Sequence, residues 1–199
     1  MKLCLFQGTF NPIHNAHLRL AEFALSYFKF NKVLFIPAHI PPHKKFEGEE
    51  NARHRLNMVK LALKDNERFE VSDIEYRRNA PSYTYYTVCE LYNVMNLTEK
   101  PCFLIGTDAF RQIETWHKAE LLKELIDFRV FVREKDFNEA DFDGLKTKGY
   151  SFEFMSLEFE DISSRCIREK IRRGESVCGI IPDRVREYIY ENGLYINKP

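Results

Sequence analysis

Short, continuously apolar runs recur along this chain: Leu3 to Phe6, Val33 to Pro37, Cys102 to Ile105, and Val130 to Val132 inside Arg129 to Arg133. Runs of this length fit strands buried on both faces of a parallel sheet. Phe69 to Ser72 alternates and reads as another strand, and Phe152 to Met155 as the last. Between them lie stretches of helical period. Leu18 to Phe28 is amphipathic, Arg53 to Leu63 places Leu56, Val59 and Leu63 on one face, and a third stretch carries Val88, Leu91, Tyr92 and Met95. Strands alternating with helices predict an α/β fold, a Rossmann-like, doubly wound, mostly parallel sheet. The 199 residues are read as one domain, 1–199, with a helical C-terminal part at about 162–199.

The first strand-to-helix junction is Gly8-Thr9-Phe10-Asn11-Pro12-Ile13-His14-Asn15-Ala16-His17. His14 and His17 are three residues apart, which puts both on one face of a helix. A helix start offers free N–H groups and a positive dipole end, both suited to an anion. The junction therefore reads as a phosphate-handling turn; the alternative is one histidine capping the helix and the other filling space.

Three later stretches carry similar chemistry. Pro41-Pro42-His43-Lys44-Lys45 lies in a loop stiffened by paired prolines, where Lys44 could reach a phosphate. The strand ending at Gly106-Thr107-Asp108 places a glycine and a carboxylate where open parallel sheets bind ligands. Asp108 there suits a ribose, or caps the next helix. Ile162-Ser163-Ser164-Arg165-Cys166-Ile167-Arg168 opens a helix with hydroxyls and an arginine, a cradle for a polyphosphate. Arg172 and Arg173 read as a solvated basic face. Ser82 reads as a helix cap, Pro182 as the first turn of a final helix, and 134–150 as a surface excursion. Trp116, the one tryptophan, serves the core or stacks on a planar ring.

Zero formal net charge gives no general attraction to nucleic acid or anionic membrane. The five cysteines show no C-x-x-C spacing, so reduced thiols in a cytoplasmic protein are expected. Neither a signal-peptide core nor a membrane-spanning run is apparent. There is no G-x-G-x-x-G after the first strand and no G-x-x-x-x-G-K-[ST], which argues against a nicotinamide-dependent dehydrogenase and a P-loop kinase.

Taken together, these stretches resemble the bacterial nicotinate-nucleotide adenylyltransferases, in the nucleotidyltransferase superfamily marked by H-x-G-H. His14-Asn15-Ala16-His17 matches that motif except at its glycine, and Ile162 to Arg168 matches I-S-S-T-x-I-R except at Arg165. Ile40 to Lys44, Arg78-Asn79-Ala80-Pro81-Ser82-Tyr83-Thr84, and Ile105 to Asp108 with Thr115-Trp116 match the nicotinate branch. The resemblance implies transfer of the adenylyl group of ATP to nicotinate mononucleotide, with Mg²⁺, giving nicotinate adenine dinucleotide and pyrophosphate. It implies that His14, His17 and Arg168 act on the phosphates. Gly8, Thr9, Phe10, Gly106, Asp108, Ile162 and Ser163 would complete the ATP site. Lys44, Thr84, Asp108, Trp116, His117 and Arg133 would hold the mononucleotide. No metal-ligand set is expected.

Four positions depart from the family pattern: Gln7 for glycine, Asn11 for aspartate, Ala16 for glycine and Arg165 for threonine. Glu134 also takes the place of one of a usual arginine pair. The nearest competing activity is the same transfer to nicotinamide mononucleotide, or to both substrates. Pantetheine-phosphate adenylyltransferase shares the histidine motif but not the Trp116 and Asn79 to Thr84 stretches. Zero net charge and the catalytic-type residues argue against a non-catalytic nucleotide-binding or RNA-associated module, since RNA binders usually show a basic stripe. Oligomeric state is left open, a homo-oligomer included.

Overall fold

The computed structural model describes residues 2–42, 49–132, 134, 136–156 and 162–196. Six strands form one sheet: β1 (Leu3–Gly8), β2 (Lys32–Pro37), β3 (Phe69–Val71), β4 (Cys102–Gly106), β5 (Asp127–Val132) and β6 (Phe152–Ser156). Their order is β3-β2-β1-β4-β5-β6, and every pairing is parallel. The expected mostly parallel sheet is therefore wholly parallel. β1 pairs with β2 from Leu3↔Lys32 to Gly8↔Pro37 and with β4 at Cys4↔Cys102. The chain winds outward in both directions from β1 and β4, leaving a crevice at their carboxyl ends.

Alternation along the strands feeds two cores. Cys4, Phe6, Val33, Phe35 and Leu104 join one, with Leu20 and Ala24 of α1 (Asn15–Tyr27) and Met58 of α2 (Glu49–Leu63). Leu3, Leu5, Leu34, Ile36 and Phe103 join the other, with Val88 and Leu91 of α3 (Thr84–Met95). Phe110 ends α4 (Thr107–Phe110), and Leu122 ends α5 (Ala119–Leu122). The excursion after β5 holds a short 3₁₀ turn and α6 (Asp143–Thr147), anchored in that core by Phe142 and Leu145.

The C-terminal part adds α7 (Ser164–Arg172) and α8 (Asp183–Glu191) to the first core through Ile167, Ile171, Val185 and Ile189. Polar contacts fix α8 against α2: Asn57 donates to the Tyr188 hydroxyl at 3.0 Å, and Arg184 pairs with Asp65 at 2.7 Å.

Three boundaries differ from the sequence reading. α2 starts at Glu49, because its polar first turn is invisible to apolar periodicity. α3 starts at Thr84 with Tyr83 at the cap; the Ser82 hydroxyl instead accepts from Ile40 N–H at 3.1 Å, tying that loop to the end of β2. Pro182 sits at the cap of α8, just outside its first turn. Among the described residues no helix is long and apolar enough to cross a membrane.

Candidate active site

The crevice holds a cavity of about 540 Å³. Gln7, Gly8, Thr9 and His17 line it from the β1–α1 junction, Gly106 and Ala109 from β4 and α4, and Tyr83, Thr84, Trp116 and His117 from the other side. Its size and mixed lining are those of a small-ligand site.

The β1–α1 turn is built around Phe10. That residue is left-handed, with φ 47°, and its side chain is buried. Such a conformation costs a non-glycine residue about 1–2 kcal/mol and persists only where its surroundings enforce it. Here the ring folds back under the turn, 5.5 Å and edge-on from Phe6 and 5.1 Å and edge-on from His17. Gly8 permits this, since a Cβ there would stand 2.9 Å from the Phe10 ring. Phe10 thus supports the turn with its ring as well as its backbone.

His14 occupies the cap of α1 and His17 its third position. Their rings stack at 3.6 Å, and His17 Nδ1 accepts from the His14 main-chain N–H at 3.3 Å. A backbone N–H can only donate, so the His17 ring proton sits on Nε2, leaving that nitrogen a donor. His17 lines the cavity, while His14 is buried behind it. The cap position and the cavity-lining position are therefore divided between the two.

α7 is locked to this turn. Arg168 Nη1 donates to the Asn11 carbonyl at 2.7 Å, and the Ser164 hydroxyl donates to the Pro12 carbonyl at 2.9 Å. Tyr195 donates its hydroxyl to Asn11 Oδ1 at 2.5 Å, and Asn15 donates to the Gly179 carbonyl at 2.8 Å. Ser163 caps α7 by accepting from Cys166 N–H at 3.2 Å and is exposed, beside the half-buried Ile162. Arg165 pairs with Glu169 at 3.0 Å in solvent, and Arg172 and Arg173 are exposed.

Across the cavity, Tyr83 stacks on His117 at 4.4 Å, and His117 Nε2 lies 3.2 Å from the Tyr86 hydroxyl. Trp116 is half-buried, edge-on to Phe103 at 5.9 Å. It serves core and cavity at once. Asp108 is exposed in the first turn of α4, its Oδ1 only 2.6 Å from where a Cβ on Gly106 would stand. Glycine at 106 is what lets the carboxylate fold over the strand end. Glu134 accepts from the Thr107 hydroxyl. Lys44 and Arg133 lie outside the described residues.

Two buried ionic groups escaped sequence reasoning. Arg55 donates to the carbonyls of Thr9 at 2.9 Å, Ala38 at 2.5 Å and His39 at 3.0 Å, joining the ends of β1 and β2. Glu75, 1% exposed, accepts from Gln7, Thr87 and His39 N–H. Each neighbours apolar core residues in sequence, and only charge next to a buried stripe hinted at a role.

Residues 5–170 match the cytidylyltransferase-like family model. A relative from Carboxydothermus hydrogenoformans, named "Probable nicotinate-nucleotide adenylyltransferase", is 39% identical over 98% of both chains. One of the same name from Staphylococcus epidermidis is 35% identical over 99% of this chain and 98% of its own. The chain belongs to the nicotinate-nucleotide adenylyltransferase family. The family's fold extends to a solved structure, Plasmodium falciparum nicotinic acid mononucleotide adenylyltransferase complexed with NaAD. It superposes with a TM-score of 0.78 at 17% identity, covering 98% of this chain and 97% of that one.

Proposed function

We propose that this chain transfers the adenylyl group of ATP to nicotinate mononucleotide, forming nicotinate adenine dinucleotide and pyrophosphate in NAD biosynthesis. The observation that carries this reading is one cavity, in a member of the family, with the β1–α1 turn and His17 on one wall and Tyr83, Trp116 and His117 on the other. The mononucleotide's phosphate is already a nucleophile. The protein need only align it with the α-phosphorus of ATP and offset the charge that develops.

His17 would donate from Nε2 to a phosphate oxygen, with His14 fixing its ring. Arg168 and Ser163, beside the Asn11 turn, would stabilise the departing pyrophosphate. Gly8, Thr9 and Phe10 would bring main-chain groups to the nucleotides. Asp108 would accept from a ribose hydroxyl. Trp116 would stack on the pyridine ring, and N–H groups near Thr84 and His117 would receive its carboxylate. Lys44 and Arg133 would add positive charge.

Among the described residues no group of three or more His, Cys, Asp or Glu side chains could hold a metal ion. We would place Mg²⁺ on the triphosphate oxygens and water, as the ion commonly enters nucleotide sites. Bound there, the ion would neutralise phosphate charge. The whole chain would act as one catalytic unit in the cytoplasm, without nucleic acid or membrane.

The test is pyrophosphate release from ATP and Mg²⁺ with nicotinate mononucleotide supplied. Release that depends on both substrates is expected; none with either the acid or the amide mononucleotide would remove the reading.

A further inference from the structure

Gln7 continues the odd-numbered face of β1, after Leu3 and Leu5, where the next apolar side chain would belong. Instead its carboxamide meets a polar network at the cavity floor. Nε2 lies 2.6 Å from Glu75 Oε1 and 3.5 Å from the Ser82 carbonyl, and both of those atoms accept. The amide's orientation is therefore set by its partners. Oε1 must face the other way, and there it lies 2.7 Å from the Thr84 hydroxyl. Amide Oε1 cannot donate, so the hydroxyl does.

The donor direction runs the same way on the other branch. Thr87 donates to Glu75 Oε1 at 2.6 Å, with Arg78 donating to the Thr87 hydroxyl. Glu75 Oε2 accepts from His39 N–H at 3.3 Å. Glu75, Ser82, Thr84 and Thr87 are all buried, so the pattern is not relaxed by solvent.

The consequence falls on Thr84, which lines the cavity as the first residue of α3. Its single proton is committed to Gln7, and only oxygen lone pairs remain for a ligand. The same corner offers main-chain N–H groups from the first turn of α3. A ligand bearing both a carbonyl and an N–H satisfies both kinds of partner. A carboxylate satisfies the N–H groups and places an oxygen against an acceptor.

From this geometry we infer that Gln7 is a specificity-determining positioning residue that opens the site to the amide mononucleotide alongside the acid. The inference rests on the adenylyltransferase reading above. A side chain without a carboxamide oxygen at position 7 would leave the Thr84 proton free to turn into the cavity.

The test compares kcat and KM for nicotinate and nicotinamide mononucleotides in the native protein, Gln7→Met and Thr84→Val. The native protein is expected to turn over both. Gln7→Met, which keeps the volume and frees the Thr84 proton, should raise the acid-to-amide ratio of kcat/KM by roughly three- to tenfold. Thr84→Val removes the acceptor itself and should move the ratio the same way, which keeps the inference testable if Gln7→Met does not fold. The change should lie in KM for the mononucleotide. Turnover of the acid alone by native protein, unmoved ratios in the folded variants, or an equal rise in KM for ATP would each overturn it. Turnover of neither substrate would instead remove the adenylyltransferase reading, and this inference with it.

Discussion

Arg168 and Asn11, 157 residues apart in sequence, are joined by a 2.7 Å hydrogen bond from the guanidinium to the main-chain carbonyl. The bond fastens the C-terminal helix α7 to the turn that carries both histidines. It also holds the cation against that turn in one orientation, so positioning and charge come from one group. Arg168→Lys keeps the charge but not the planar fork. Steady-state kinetics should show kcat lowered by on the order of 10²-fold for Arg168→Ala and by a smaller factor for Arg168→Lys. Activity of Arg168→Lys equal to that of the native protein would mean that charge alone matters.

His17→Ala removes the Nε2 donor of a ring that lines the cavity. Its kcat should fall by on the order of 10²-fold or more, as when a transition-state donor is lost. His14 is buried and stacked against His17. His14→Ala should therefore lower both kcat and thermal stability, measured by turnover and by melting temperature.

Trp116 is held edge-on by Phe103, leaving a face for a planar ring. Trp116→Ala should raise KM for the mononucleotide roughly three- to tenfold, the scale of one aromatic stack. An effect confined to KM for ATP would place the pyridine ring elsewhere.

Arg55 is 4% exposed and donates to three carbonyls. Arg55→Met fills the volume but leaves those acceptors without their donor. Urea unfolding should show a loss of more than about 2 kcal/mol, because buried unmet polar groups cost about 1–3 kcal/mol each.

Cys4 and Cys102 are buried, and burial pushes both thiols above their ordinary value of 9.0. The folded state keeps these protons while the unfolded chain releases them near pH 9. Their contribution to stability is thus complete below pH 9 and declines above it. Urea midpoints should fall between pH 8 and pH 10, less so in Cys4→Ala and Cys102→Ala proteins. Cys166 and Cys178 are exposed, so a disulfide reagent should titrate two fast thiols in the native protein.

Much of the site was legible because strand–turn–helix junctions are local events. Gly8 to His17, Gly106 to Asp108 and Ser163 to Arg168 each carry their geometry within about ten residues; the fold brings the first two to one crevice and fastens the third to the turn of the first. Helix starts were less legible. The polar turn Glu49 to Asn51 carries no apolar period, and the Ser82 hydroxyl caps no helix because Ile40 claims it.

The sequence by itself determined the parallel, doubly wound fold and the strand–turn–helix stretches that line the crevice. Apolar period records how a segment is buried, and burial on both faces leaves few arrangements. Only the tertiary structure decided which histidine faces the cavity, where Arg168 is anchored, and that Gln7 meets Glu75 across 68 residues. A polar side chain is satisfied by whatever donor or acceptor the fold brings within about 3 Å, and no local pattern in the chain records that partner.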